Sequence, residues 1–425
     1  MARRQKKIWP TDLREGLSRR DRSGCEYSAY IPDPLASRTF VLEGKVAAEV
    51  VDAESAIRSL NEAATSLVDT EALARLLLRA ESVASSRIEG LEVGGRRLLR
   101  AEAARQLGES ITDVTAEEVL GNIEAMQWAV GDLTVDSITV DSILEVHARL
   151  LRGTRHAAIG GVLRSTQNWI GGSDFNPCSA DYVPPPPKLV RRLLDDLARF
   201  CNDDSLPAVA QAAIAHAQFE SIHPFGDGNG RTGRALIHAI LRRRQLTPRV
   251  LPPVSLVLAT WAKDYVRALN KTRYVGPANA PGAIDGINDW IALFAAACRR
   301  SVKDATDFEQ TIDAIRGEWR TAAGNPRRDS AASLLIEVLP GAPIVTVGSA
   351  ASLIKRSYER TNEAMGRLED AGAVRNVKVG RRNRAFEAPA VIDAFTDLER
   401  QLASPSGDTA KSPPKRRTPA RSTRS

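Results

Sequence analysis

Apolar side chains recur three and four residues apart from Asp69 to Glu89, where Leu73, Leu76, Leu77, Ala80, Val83, Ala84 and Ile88 form one stripe. That spacing follows the 3.6-residue turn and predicts an amphipathic helix over about 70–90, with Gly90 as its stop. The same pattern predicts helices over Asp141–Arg152, Lys188–Cys201, Ala208–Ile222, Thr232–Arg244 and Ala283–Arg300, so the chain reads as mainly α. Two stretches break the pattern. Between Gly160 and Pro187, two Gly-Gly pairs bracket Leu163–Ile170 and four prolines follow, which predicts a short β-hairpin flap. After Asn325-Pro326 come three short apolar helices, Ser330–Leu339, Ser349–Lys355 and Tyr358–Asp370. Two strands follow, Val374–Val379 and Ala385–Glu387, joined by the turn Gly380–Asn383. Three helices and a basic hairpin predict a C-terminal winged helix-turn-helix domain.

A chain of 425 residues exceeds what one core usually supports. The expected division is an N-terminal helical region over 1–137, a helical core over 138–300, a helical linker over 301–326, the winged helix over 327–402, and a tail over 403–425. Hydrophobic content of 43% and charged content of 26% match ordinary soluble proteins, and no apolar run approaches the ~20 residues a spanning helix needs. No membrane role is expected. The N-terminal Met-Ala-Arg-Arg-Gln-Lys-Lys is basic, but no apolar stretch with a cleavage site follows it, so no secretory signal is visible. Cys25, Cys178, Cys201 and Cys298 are scattered without a CxxC pair, which predicts reduced thiols and a cytoplasmic location rather than a disulfide frame or zinc site.

The net charge of +7 suggests nucleic acid until it is located. Six Lys/Arg against one Asp lie from Ser404 onward, and four more lie between Arg3 and Lys7, which leaves the remainder slightly acidic. The Pro/Ser/Arg tail cannot bury enough apolar surface to order itself, so it is expected to be disordered and its charge solvated.

The densest chemistry is His223-Pro-Phe-Gly-Asp-Gly-Asn-Gly-Arg-Thr-Gly-Arg234. Pro224 disfavours helix at His223, so the preceding helix should end there and hold the imidazole at its tip, exposed enough to move protons. Gly228, Asn229 and Gly230 tolerate positive φ, which predicts a nest of backbone N–H groups ahead of a helix near Thr232, with phosphate as its guest. Arg231 and Arg234 add planar donors three residues apart, Asp227 offers the hard oxygen that Mg²⁺ prefers, and Phe225 reads as a core anchor.

This segment resembles the signature of the Fic family, HPFx(D/E)GNGRxxR, at every specified position. The likeness extends to Ala215–Ile222, to the flap Gly161–Gly172 and to Tyr182–Pro187, and covers most of the chain up to about Arg300. The resemblance implies a Fic-type helical core with a flap, and transfer of a nucleotide, usually AMP from ATP, to a Ser, Thr or Tyr hydroxyl of a target protein. It makes His223 the general base and Asp227 the holder of Mg²⁺. It assigns ATP and its phosphates to Gly228, Asn229, Gly230, Arg231, Thr232, Gly233 and Arg234. The family often carries two tyrosines near the adenine. This chain has Asp264-Tyr265 there, which makes Tyr265 a candidate for stacking beside its alternative as core. The flap reads either as a structural hairpin or as an edge that takes the target peptide as an added strand.

Ser85-Ser-Arg-Ile-Glu-Gly90 resembles the family's inhibitory signature, (S/T)xxxE(G/N). Ser85 and Glu89 fall on one helical face, and the resemblance pairs Glu89 with Arg234, which would keep that arginine from the γ phosphate. One alternative is a DNA-binding regulator acting through the winged helix, where eleven Lys/Arg and seven Asp/Glu lie between Arg327 and Glu387. Arg381, Arg382 and Arg384 fall on its wing. Another is a Fic-type transferase of a different phosphate-containing group. The reading leaves room for a DNA or protein contact through the winged helix and for a homodimer.

Overall fold

The computed structural model describes residues 1–12, 16–36, 38–63, 70–106, 108–111, 113–131, 137–379 and 383–402, which form sixteen helices and five strands. The expected tail over 403–425, and Gly380, Arg381 and Arg382 of the expected wing, lie outside the described residues.

Where a helical N-terminal region was expected, the chain opens on a β-ribbon. Strand β1 (Arg3–Trp9) pairs antiparallel with β2 (Cys25–Ile31), Arg3 opposite Ile31 and Trp9 opposite Cys25, with the one-turn helix α1 (Arg19–Arg22) between them. β1 carries charge on both faces and lies largely in solvent, so no apolar alternation marks it in the sequence. Distant residues hold it. Trp9 meets Trp169 edge to face at 5.3 Å, and Cys25 is disulfide-bonded to Cys178 across 153 residues of sequence. The expectation of four reduced thiols is corrected for this pair, because a pairing over that separation leaves no local motif. Cys201 and Cys298 are free and buried.

The helices follow as α2 (Gly44–Ala63), α3 (Thr70–Ile88), α4 (Gly95–Gln106), α5 (Val114–Gly131), α6 (Val140–Leu151), α7 (Pro187–Cys201), α8 (Ala208–Ile222) and α9 (Asn229–Arg243). Then come α10 (Val254–Thr260), α11 (Ala262–Thr272), α12 (Pro281–Ala322) and α13 (Ala331–Val338). The chain continues through β3 (Ile344–Val345), α14 (Val347–Ile354), α15 (Tyr358–Asp370), β4 (Arg375–Val379), β5 (Asn383–Glu387) and α16 (Pro389–Leu402). α12 is one helix of 42 residues rather than a helix stopping at Arg300. Its second half keeps Val302, Ala305, Phe308, Ile312, Ile315 and Trp319 buried at three and four residue spacings, a stripe that the polar residues between them obscure. Among the described residues, no helix is long and apolar enough to cross a membrane.

These elements divide into two compact units interleaved along the chain. The first comprises Met1–Glu54, Trp128–Leu246 and Lys263–Ala296. Its centre is α8, all fifteen residues of which are buried, and a helix apolar around most of its circumference must be enclosed. α7 and α9 pack on it, α6 packs on α9, and Trp290 donates its indole N–H to Ala213 O at 2.7 Å. The alanines of α8 leave room for close approach: a Cβ at Gly233 of α9 would lie 2.9 Å from Phe219 Cδ1 and from Glu220 Oε1.

The second unit comprises Ser55–Gln127, Thr247–Ala262 and Ala297–Ser425. α10 and α16 pack on α3, and Glu81 of α3 accepts from the Ser255 N–H at 2.7 Å and from its hydroxyl. α13, α14 and α15 pack together beside an antiparallel sheet of order β3-β5-β4. Glu387, buried at the end of β5, is surrounded by Arg96, Arg100 and Arg375.

Candidate active site

The site lies in the first unit, on the turn between α8 and α9. α8 ends at His223, which adopts the left-handed conformation (φ 48°, ψ 62°) while its N–H still bonds to Phe219 O at 2.9 Å. Pro224 excludes continuation as helix, and histidine tolerates this region better than most residues. The side chain is only 18% exposed, less open than its place at a helix tip suggests. Burial, then the charges of Arg273 and Arg164, push its pKa down from 6.5 to about 3, so the ring is neutral at physiological pH. Nδ1 lies 3.9 Å from Glu220 Oε2.

α9 begins at Asn229, three residues earlier than the pattern of apolar residues indicates. Gly228 alone in this run takes positive φ (74°); Asn229 and Gly230 are already helical, so the expected nest is replaced by the first turn of α9. Gly228 caps that helix without a side chain, which leaves the first N–H groups for an anionic guest. A Cβ at Gly228 would stand 2.9 Å from Leu150 Cδ2. The Asn229 side chain closes the turn on itself, accepting from Phe225 N–H and donating to Phe225 O, both at 2.9 Å. Its carboxamide is thereby committed to structure. Phe225 is buried as expected, against His147 and Phe219.

The charged groups converge here. Arg231 is 2% exposed and its Nη2 lies 3.6 Å from Asp227 Oδ2. Arg231 Nε and Nη1, Asp227 Oδ2 and Thr232 Oγ1 are buried with no hydrogen-bond partner among the described residues. Arg234 is buried and its charge helps depress the pKa of His216. Such a set of donors beside one carboxylate suits an anion accompanied by a cation.

Several positioning residues escaped sequence reasoning. Arg164, buried on the flap segment, donates to His223 O at 2.9 Å, Pro185 O at 2.6 Å and Thr166 O at 3.2 Å, while its own N–H bonds Pro224 O at 3.0 Å. Asn168 donates to Phe225 O at 3.0 Å. The flap thus satisfies carbonyls of the turn that follows α8. It closes as a hairpin on a single antiparallel bridge, Ile170 with Tyr182, rather than a ladder. His147 of α6 stacks on Phe225 at 3.7 Å, accepts from Gly161 N–H at Nδ1 (3.0 Å) and meets Asp227 O at Nε2 (2.9 Å). These partners require the neutral ring protonated on Nε2, in keeping with a pKa that burial lowers to about 4. Arg273 lies over the Tyr182 ring at 3.6 Å. Only the likeness of the flap segment hinted at Arg164 and Asn168; lone residues such as His147 and Arg273 carry no local signal.

Tyr265 lies on α11 of the same unit. Its ring is 3% exposed, packed between His216 and Trp290, and its hydroxyl meets His216 Nε2 at 2.7 Å. This packing is what the core alternative expects. In the second unit, Ser85 is buried in α3, and Glu89 is exposed in the turn just beyond it, where Gly90 takes φ 80°.

The Fic/DOC family model matches residues 137–241, and the Fic/DOC family N-terminal model matches residues 47–131. The chain is 35% identical over 173 residues to protein adenylyltransferase fic-1 of Caenorhabditis elegans, a match covering 39% of this chain and 32% of that protein. It is 36% identical over 149 residues to protein adenylyltransferase Fic of Nematostella vectensis, covering 34% and 32%. The matched segment thus spans about a third of the length of these curated relatives. A Fic family protein from Desulfovibrio desulfuricans shares the fold, with TM-score 0.51 and 19% identity over 82% of this chain and 97% of that one.

Proposed function

Because the chain belongs to the Fic/DOC family, we propose that its His223–Arg234 turn transfers AMP from ATP to a Ser, Thr or Tyr hydroxyl of a target protein. The observation that carries this reading is one turn that joins a neutral imidazole, an uncapped helix N-terminus, and buried Arg231 donors beside the Asp227 carboxylate.

In this mechanism the target hydroxyl oxygen bonds to the α phosphorus, the bond to the oxygen bridging α and β phosphates breaks, and pyrophosphate leaves. His223 takes the hydroxyl proton. Its pKa is depressed partly by Arg273 and Arg164, and phosphates in the turn offset those charges and bring the ring toward a working base. Gly228, Gly230 and the N–H groups of Asn229 and Arg231 cradle the phosphate chain, Thr232 Oγ1 and the Arg231 donors add hydrogen bonds, and Gly233 lets α9 seat against α8. Asp227 Oδ2 would hold Mg²⁺, which supplies charge neutralisation at phosphate oxygens when bound. A single carboxylate suffices for that ion when phosphates and water complete its shell, so it fits the described residues, among which no cluster of three or more protein ligands occurs.

Arg234 is read as a γ-phosphate clamp that Glu89, aided by Ser85, withholds in the resting protein. The packing of α13–α15 beside the β3-β5-β4 sheet supports the winged-helix reading of 327–402, with DNA or protein contact and homodimerisation as its secondary roles. The experiment is incubation with ATP labelled at the α or γ phosphate. Label is expected on protein only from α-labelled ATP, raised in Glu89→Gly and lost in His223→Ala. Retention of γ label would overturn AMP transfer, and equal wild-type and Glu89→Gly activity would overturn the brake.

A further inference from the structure

We propose that a cavity within the second unit, built by α3, α4 and the β3–α14 segment, binds a small organic anion with an oxyanion head and a short apolar body. Its volume is about 420 Å³, within the range of about 300–1,000 Å³ usual for small-molecule sites.

Arg79 of α3 lines it with a side chain only 7% exposed. Nη2 donates to both carboxylate oxygens of Glu102, at 2.8 and 3.0 Å. Nε and Nη1 are buried with no hydrogen-bond partner among the described residues. A guanidinium taken out of water is stabilised only when its remaining donors find acceptors, and an apolar guest offers none. An oxyanion does. Arg75, one turn earlier on the same face, also lines the cavity and pairs with Glu71. Leu99, Ile123, Ile344 and Leu353 supply apolar wall for the body of the guest. One wall depends on a glycine: a Cβ at Gly341 would stand 2.8 Å from Ala72 Cα, so this position lets the backbone close against α3.

The test is calorimetric titration of the full chain with hexanoate, hexyl phosphate, acetate and hexylamine, and it needs no assumption about catalysis. Hexanoate or hexyl phosphate is expected to bind saturably at one site, at least about tenfold tighter than acetate, because burial of several CH₂ groups adds to the head-group contact. The preferred head group identifies the oxyanion, and hexylamine should not bind. Leu353→Trp, at a half-buried wall position, should abolish binding by filling the cavity. The double variant Arg79→Met/Glu102→Met removes both charges without stranding either, and should abolish head-group preference while thermal unfolding confirms its fold. Absence of saturable binding by both hexyl anions, equal binding of hexylamine, or unchanged binding in Leu353→Trp would each overturn the proposal.

Discussion

Three histidines in the first unit should make this protein acid-labile well before its carboxylates titrate. His223 and His216 are held at about 3 and His147 at about 4, in each case chiefly by burial. In the unfolded chain each returns to about 6.5. The folded state therefore binds fewer protons than the unfolded state below about pH 7, and stability falls as pH falls. The stability these residues contribute is fully present above the unfolded value and is lost progressively down to the folded values. Between about pH 6 and pH 5 nearly one extra proton per histidine enters only the unfolded chain, so three histidines give a slope of about 3–4 kcal/mol per pH unit. The slope in this window is set by the unfolded value, because every folded value lies well below it. Denaturant unfolding followed by tryptophan fluorescence at about pH 7, 6 and 5 measures it. His147→Gln and His216→Gln should each remove about a third of the slope. A midpoint independent of pH across this window, or a slope unchanged in both variants, would refute the assignment of neutral buried imidazoles.

Two substitutions test how the site is held. Gly228→Ala places a Cβ 2.9 Å from Leu150 Cδ2 at φ 74°, and the left-handed conformation with the crowding should cost about 2–3 kcal/mol. Thermal unfolding should show the loss, and an unchanged Tm would contradict it. Arg164→Met removes the donors to His223 O, Pro185 O and Thr166 O; at about 1.5–3 kcal/mol per charged hydrogen bond, incompletely additive, the loss should be about 3–5 kcal/mol. In the transfer assay kcat should fall more than KM for ATP rises, with partial rescue by Arg164→Lys, since the effect runs through the placement of His223. An equal change in both parameters would count against a positioning role.

The helical stripes of α3, α6 and α7 were legible because burial of one face at a 3.6-residue period is a local property. The His223–Arg234 segment was legible for a related reason: its histidine, glycines and arginines are adjacent in sequence because they form one turn. The β1–β2 ribbon was not, since charged residues on both faces of β1 leave no periodicity, and Trp169 and the disulfide to Cys178 hold it from afar. The second half of α12 had its signal in Val302 through Trp319, masked by the charges between them.

The support of the site was also a tertiary decision. Arg164, Asn168 and His147 matter because folding brings them to carbonyls of the turn between α8 and α9, and a turn carbonyl names no partner in a sequence. Tyr265 shows the reverse: an aromatic can serve core or ligand, and its packing against His216 and Trp290 is visible only in the tertiary structure. The sequence by itself determined the helical elements and the groups that carry the chemistry, because both are set by neighbours within a few turns. The tertiary structure alone decided the N-terminal ribbon, the cysteine pairing, the interleaving of the two units and the depressed pKa values, because each depends on burial and on partners far apart along the chain.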